Sequence, residues 1–235
     1  MARTLGPVCK RCRREGMQLF LKGTRCNSEH CPFSRSRGDS KDSRREGGKK
    51  PLPPGMHGFK GRKLTEYAVQ LREKQKVKTF YGVLESQFRR YYQAAERSKG
   101  NTGQVLMCFL ERRLDNVVYR LGFAVSRAQA RQLIAHGHIC VNGRRLDVPS
   151  YLTRPGDVVA LKVYKRTGDV KKNRPGSKGI VDFALQNPVE NAIPDYLSRE
   201  QNEVPTGVVV RYPVYDDNAL AGKVNPQLIV ELCSK

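Results

Sequence analysis

The sequence predicts an α+β chain. A mostly helical N-terminal part with a cysteine-rich arm is followed by a small helix-hairpin module with an antiparallel sheet. Three observations predict it. Four of the seven cysteines fall within the first 31 residues, as two close pairs. Residues 64–100 hold two stretches with apolar side chains at helical spacing. Beyond residue 126, a helix start signal leads into an alternating stretch and an Asn-Gly turn. A chain of 235 residues suits one large or two small domains. The divisions read as 1–50 (arm), 51–109 with 212–235 packing back (helical domain) and 110–211 (module, with a flexible basic stretch near 165–180).

In the arm, Cys9-x-x-Cys12 is followed by thirteen residues, then Cys26 and Cys31. Two chelating pairs joined by a short loop suit one tetrahedral Zn²⁺, and four protein ligands make such a site structural, with no open position. Lys10, Arg11, Arg13 and Arg14 around the first pair favour thiolate. Four thiolates also suit an iron-sulfur cluster, which stays open as the other group. His30 is the rival ligand, made awkward by its adjacency to Cys31. Cys108, Cys140 and Cys233 lie in apolar contexts and read as core. An odd cysteine count without a secretion signal argues against a disulfide framework.

Residues 32–63 are polar and basic, with too little apolar surface to order alone. Leu64, Tyr67, Ala68 and Leu71, then Leu84, Phe88, Tyr91, Tyr92 and Ala95, mark two amphipathic helices, the second ending at Gly100-Asn101. Their other faces carry Arg72, Lys74, Lys76, Lys78, Arg89, Arg90 and Arg97. A third helix is predicted over Gln104–Leu121, with Arg112, Arg113 and Arg120 on it. Ser126 and Gln129 form a capping box for a short helix burying Ala130, Leu133 and Ile134. Ile139 and Val141 alternate toward the Asn142-Gly143 turn, where both residues need positive φ. Val158–Val163 is a strand. A short helix near 182–203 and strands at Val208–Tyr212 and Gln227–Leu232 complete the reading.

The chain carries 44 Lys and Arg against 22 Asp and Glu, net +22. Such a charge calls for a polyanionic partner. No apolar run approaches the roughly 20 residues of a spanning helix, and Met1-Ala2-Arg3-Thr4 lacks a signal-peptide core; the chain reads as cytoplasmic, with nucleic acid as its partner. The charge is uneven: residues 1–100 hold 25 basic and 9 acidic side chains, whereas 179–235 hold 4 and 8. The acidic end either meets a protein or is simply solvated. Arg127 and Arg131 share a helix face flanked by Gln132 and His136, with Asn142 and Arg144 at the hairpin. Without i, i+4 acids, this face reads as an RNA surface; arginine forks suit phosphate and bases. No heptad zipper or zinc-finger helix favours DNA. No phosphate loop, Ser-His-Asp arrangement or catalytic carboxylate pair is present, which argues against an enzyme.

Several segments carry a resemblance: Ala2-Arg3-Thr4-Leu5-Gly6-Pro7, Pro54-Gly55-Met56-His57-Gly58, Arg113-Leu114-Asp115-Asn116-Val117-Val118-Tyr119-Arg120, Ser126-Arg127-Ala128-Gln129-Ala130-Arg131-Gln132 and Leu228-Ile229-Val230-Glu231-Leu232. The chain resembles the S-four family of bacterial small-subunit ribosomal proteins, and its four cysteines resemble the zinc-binding subset. The resemblance implies a structural protein that binds the 5′ domain of small-subunit (16S) rRNA, nucleates assembly of the subunit body and, with ribosomal proteins S-five and S-twelve, affects decoding accuracy. It matches Lys60, Arg62 and Lys63 to a basic arm near the mRNA entry channel. It matches Arg211, Tyr212, Asp216 and Asp217 to a face toward S-five. The module at 113–163 is similar to one in some pseudouridine synthases and tyrosyl-tRNA synthetases. Residues 34–50 and part of 165–195 depart from the family pattern and are expected to add rRNA contacts. A free repressor binding its own mRNA, or an RNA-modifying enzyme subunit using the same module, are the alternatives.

Overall fold

The computed structural model describes residues 6–33, 52–56, 64–162, 177–188, 193–200, 205–218 and 220–234. The chain divides into two compact units, Met1–Leu106 with Leu220–Lys235, and Met107–Ala219. The sequence-based expectations for residues 34–50, for the strand end at Val163, for 165–176 and for Lys60, Arg62 and Lys63 lie outside the described residues.

In the first unit, the cysteine segment opens with α1 (Val8–Glu15), closed by Gly16 at φ 68°. No apolar period announces this helix, since only Cys12 of it is buried. α2 (Glu66–Tyr81) starts where the Thr65 hydroxyl accepts the Ala68 N–H at 3.3 Å. α3 (Glu85–Glu96) follows a tight turn at Gly82 and is capped by Arg97, before the Gly100-Asn101 stop that the sequence suggests. Asn101 instead opens the next helix, its Oδ1 accepting the Gly103 N–H at 3.0 Å. The unit's core gathers Val77, Phe80, Tyr81, Phe88, Tyr92 and Ala95. Phe80 and Tyr81 meet edge to face with centroids 5.1 Å apart.

The predicted strand Gln227–Leu232 is instead a helix, α8 (Pro226–Cys233). Ile229-Val230 is a β-branched pair, which favours strand. Asn225 overrides it by accepting the Gln227 N–H at 3.0 Å ahead of Pro226 at the first helical position. Packing on α2 adds to that signal: Gln70 Nε2 donates to Glu231 at 3.1 Å and the Asn225 N–H to Glu73 at 3.2 Å.

The predicted helix Gln104–Leu121 is two helices, α4 (Thr102–Glu111) and α5 (Leu114–Arg120). The boundary between the units falls within α4. Arg113 is extended at the break and bridges to Leu152. The Leu114 N–H donates to Tyr151 O at 2.8 Å and the Thr153 N–H to Arg112 O at 2.9 Å. These bonds take backbone groups that a continuous helix would keep.

In the second unit, α6 (Arg127–Ala135) is capped by Ser126, which accepts the Gln129 N–H at 3.3 Å. Gln129 reaches back to the Val125 N–H at 2.8 Å, one residue earlier than a standard capping box. β1 (Ile139–Val141) turns through Asn142 and Gly143, at φ 51° and 76°, into β2 (Arg144–Arg145). β3 (Val158–Leu161) follows, then α7 (Ser177–Gln186), β4 (Leu197–Glu200) and β5 (Thr206–Val209). The single helix expected near 182–203 is thus a helix that starts earlier plus a strand, and β5 ends before Tyr212. The strands form one antiparallel sheet in the order β2-β1-β3-β5-β4. Leu114, Val117, Val118, Phe123, Leu133, Ile134, Ile139, Val159 and Val209 make its core. Gly207 lets β5 pass close to α5: a Cβ there would lie 2.5 Å from the Leu121 side chain.

Candidate nucleic-acid interface and metal centre

The arginines nearest the helix-helix break do not form a surface. Arg113 is 2% exposed and pairs with Asp115, from Nε to Oδ1 at 3.0 Å and from Nη2 to Oδ2 at 2.7 Å. Arg131 donates to the same Oδ2 at 2.6 Å. Arg127, 7% exposed, donates to Asn116 Oδ1 at 2.8 Å and lies 4.3 Å over the Tyr119 ring. Behind them, buried Glu111 accepts from Asn116, from Tyr196 Oη at 3.2 Å and from Arg120 at 3.4 Å. Burial, with Glu111 alongside, pushes the Tyr196 hydroxyl well above its ordinary range. Arg113 and Arg127 are therefore interior pins, a correction to their reading as RNA-facing groups. Arg113 meets its counter-charge at Asp115, two residues on, and Arg127 is held by the neutral Asn116 amide and the Tyr119 ring of α5, so the missing i, i+4 acids misled. Arg131 is mostly occupied by the same carboxylate.

The second unit exposes the end of α6 and the hairpin, with Gln132, His136, Asn142, Arg144 and Arg145. Arg145 drapes over Gly137, where a Cβ would lie 2.1 Å from its Nε. Sequence reasoning chose Arg144 and passed over Arg145; the hairpin position itself was the signal. The His136 and His138 rings stand 6.2 Å apart. Burial, then His136 and Arg145, push His138 below its ordinary value. Asn142 is engaged inside the turn, accepting the Val158 N–H at 2.8 Å and donating to Asp157 at 2.9 Å. Arg112 donates to Thr153 O at 3.0 Å and lies 4.6 Å over the Tyr212 ring.

On the segment after β5, Arg211 and Asp217 are paired at 2.6 Å, and Asp217 also accepts the Val214 N–H at 2.8 Å. Burial raises the Asp217 carboxyl, but Arg211 and that N–H outweigh it and hold it below its ordinary value. Tyr212 and Asp216 are exposed, as are the apolar Val210 and Val214.

In the first unit the proposed cations divide. Arg72 pairs with Glu15 at 3.0 Å, Lys74 with Glu85 at 2.8 Å, and Lys76 with Glu73. Arg89 and Arg90 are exposed. Three cations on α1, Lys10, Arg11 and Arg14, stand out in the sequence only as neighbours of the cysteines; they line a cleft against the α2–α3 turn.

The four N-terminal cysteines are free thiols, with Cys12, Cys26 and Cys31 buried and Cys9 half-buried. The turn between the pairs aims donors at them. The Lys22 N–H reaches Cys26 Sγ at 3.3 Å, and Gln18 Nε2 reaches Cys26 O at 2.5 Å and Cys31 Sγ at 3.9 Å. Burial pushes the Cys12 thiol up to about 11, against a hydrogen bond from the Leu19 backbone and with the other three sulfurs adding to the rise. Cys26 is raised by burial against the Lys22 N–H. The sulfurs thus influence one another. Among the described residues, however, no group of three or more His, Cys, Asp or Glu stands close enough to hold a metal. Coordination needs sulfurs about 2.3 Å from a shared ion; electrostatic influence reaches much further. The donor chemistry fits zinc: four sulfurs, buried or nearly so, with N–H groups turned toward them.

A helical unit joined to a capped helix and a hairpin sheet defines a protein built on an S4 domain. Residues 3–111 match the family described as ribosomal protein S4/S9 N-terminal domain, and residues 112–159 match the S4 domain. Over 235 residues, covering all of both chains, the sequence is 48% identical to small ribosomal subunit protein uS4A of Symbiobacterium thermophilum. With the same coverage it is 46% identical to uS4 of Fervidobacterium nodosum and 47% to uS4 of Dictyoglomus turgidum. The chain belongs to the uS4 family of small ribosomal subunit proteins.

Proposed function

We propose that this chain is a structural constituent of the small ribosomal subunit that binds its rRNA, without enzymatic activity. Full-length similarity to small ribosomal subunit proteins carries the reading, and the net charge of +22 agrees with it. The exposed α6 end and hairpin supply cations and hydrogen-bonding groups for RNA, together with Arg89 and Arg90 on α3. The role extends to early binding of the 5′ domain, nucleation of the subunit body and translational accuracy. Sedimentation of cell lysate tests it: the chain travels with small subunits, and a chain found mainly free overturns the reading. Turnover in a pseudouridylation assay on rRNA would do the same.

Two finer parts belong to this proposal. Cys9, Cys12, Cys26 and Cys31 would hold one structural Zn²⁺, the type of site the family's zinc-binding subset has. When bound, the ion supplies a closed tetrahedral cross-link and no reaction chemistry. The N–H groups of Lys22 and Leu19 and the Gln18 amide would steady the thiolates. Elemental analysis of purified chain tests this: about one zinc per chain supports the site, and none refutes it. The segment at Tyr212 and Asp216, with exposed Val210 and Val214 beside it, would face ribosomal protein S-five. Lys60, Arg62 and Lys63 would lie near mRNA.

A further inference from the structure

The cleft between α1 and the α2–α3 turn has a volume of about 330 Å³. That falls within the range small ligands occupy, roughly 300–1,000 Å³. Its walls differ in chemistry. One is cationic, made by Lys10, Arg11 and Arg14, none of which forms an ion pair among the described residues. Glu15 also lines the cleft, and its Oε1 is paired with Arg72 at 3.0 Å. The facing wall is made by Gln75, Lys78 and Thr79 of α2 and by Leu84 of the turn, with the Lys78 charge held by Glu85 at 2.9 Å. Neither uncharged polar side chain of that wall has a hydrogen-bond partner among the described residues.

We propose that this cleft seats one unpaired nucleotide of the rRNA, its phosphate against α1 and its ribose or base edge against Gln75 and Thr79. The proposal rests on the rRNA reading above and adds a subsite to it. A concave site of this size does not admit a duplex, whose phosphates lie on a broad surface. A nucleotide from a loop or bulge is splayed out and fits. Arginine's planar fork pairs with phosphate and stacks on bases, while Leu84 offers an apolar contact. The uncharged Gln75 and Thr79 separate this site from a plain basic patch, since uncharged groups add nothing to non-specific attraction.

Full-length chain and small-subunit rRNA are used, with affinity measured between about 50 and 200 mM salt. The double variant Gln75→Ala, Thr79→Val is expected to bind about 5- to 30-fold more weakly, as the removal of two hydrogen bonds implies, with an unchanged salt slope. The variant Arg11→Gln, Arg14→Gln is expected to flatten the slope by roughly 0.7–0.9 for each phosphate left unneutralised. In parallel, wild-type chain is cross-linked to rRNA carrying photoreactive uridine and the attached peptides are sequenced, a readout that needs no variant to fold. Cross-links from unpaired nucleotides to residues 10–14 or 75–84 support the pocket. Wild-type affinity in the neutral double variant, or no cross-link from an unpaired nucleotide to the cleft, overturns it. A wild-type chain that fails to bind rRNA at all would instead sink the rRNA reading.

Discussion

Two glutamates of the first unit answer pH in opposite ways. Burial raises the Glu85 carboxyl, but hydrogen bonds from Lys74 and Lys78 outweigh it and hold it at about 2, against 4.5 unperturbed. A depressed carboxyl stabilises the fold above its unfolded pKa, and that contribution is lost as pH falls from about 4.5 toward 2. Glu15 is raised, chiefly by burial against the pull of Arg72. Its contribution is greatest below 4.5 and is lost as pH rises through the folded value. Urea unfolding followed from pH 2 to 7 should therefore show Glu85→Gln flattening the acid limb and Glu15→Gln steepening it. Limbs that move together would refute the assignment. Asp115 gives a second residue-scale prediction. It neutralises Arg113 and Arg131 from a nearly fully buried position. Asp115→Asn removes the carboxylate that buried Arg113 meets at 2.7 Å and is expected to cost about 3–5 kcal/mol in chemical denaturation. This cluster is where sequence reasoning on the site went furthest astray. Arg127 and Arg131 are neighbours along a helix, but nothing local shows that Asp115 and Asn116 fold against them.

At the scale of elements, local signals were legible and distant ones were not. Ser126, Asn142-Gly143 and the apolar period of α3 each act within a few residues, and their elements formed there; α2 is a helix too, but Leu64 and Tyr67 of its expected apolar face are exposed, and it buries Gln70, Val77, Phe80 and Tyr81 instead. The Arg112–Leu114 break and the helical α8 depend on partners far along the chain, at 151–153 and on α2. The order of β3, β5 and β4 is likewise a matter of tertiary pairing. Asn142 shows how much one turn residue carries, with φ 51° and two side-chain hydrogen bonds. Asn142→Ala should lower stability by about 2 kcal/mol, the sum of a strained φ and two missing bonds, read as a drop in Tm. Asn142→Gly should recover the part owed to φ alone. An alanine variant melting like the wild type would remove any stabilising role for the turn.

Over the whole molecule, charge and structure separate into two populations of cations. One is interior, as at Arg113 and Arg127; the other is exposed, as at Arg144 and Arg145. The two populations predict different experiments. Arg144→Glu with Arg145→Glu should weaken rRNA binding and reduce its salt slope with Tm nearly unchanged. Arg127→Met should act through stability, lowering Tm while folded protein keeps the wild-type slope. If Arg127→Met changes the slope and the hairpin pair does not, the surface has been drawn on the wrong face. Composition revealed how many cations there are, but only the fold tells which of them meet water.

The hairpin has one more consequence, which concerns the chain before it has met any RNA. A sheet exposes unpaired backbone groups along its outer strands, and these are templates for another copy. Here one outer strand, β2, is two residues long and both are arginine; the other, β4, ends in Arg199-Glu200. Short, charged margins of this kind discourage edge-to-edge stacking into aggregates. The arginines read as a grip for RNA also keep newly made copies apart while they wait for it.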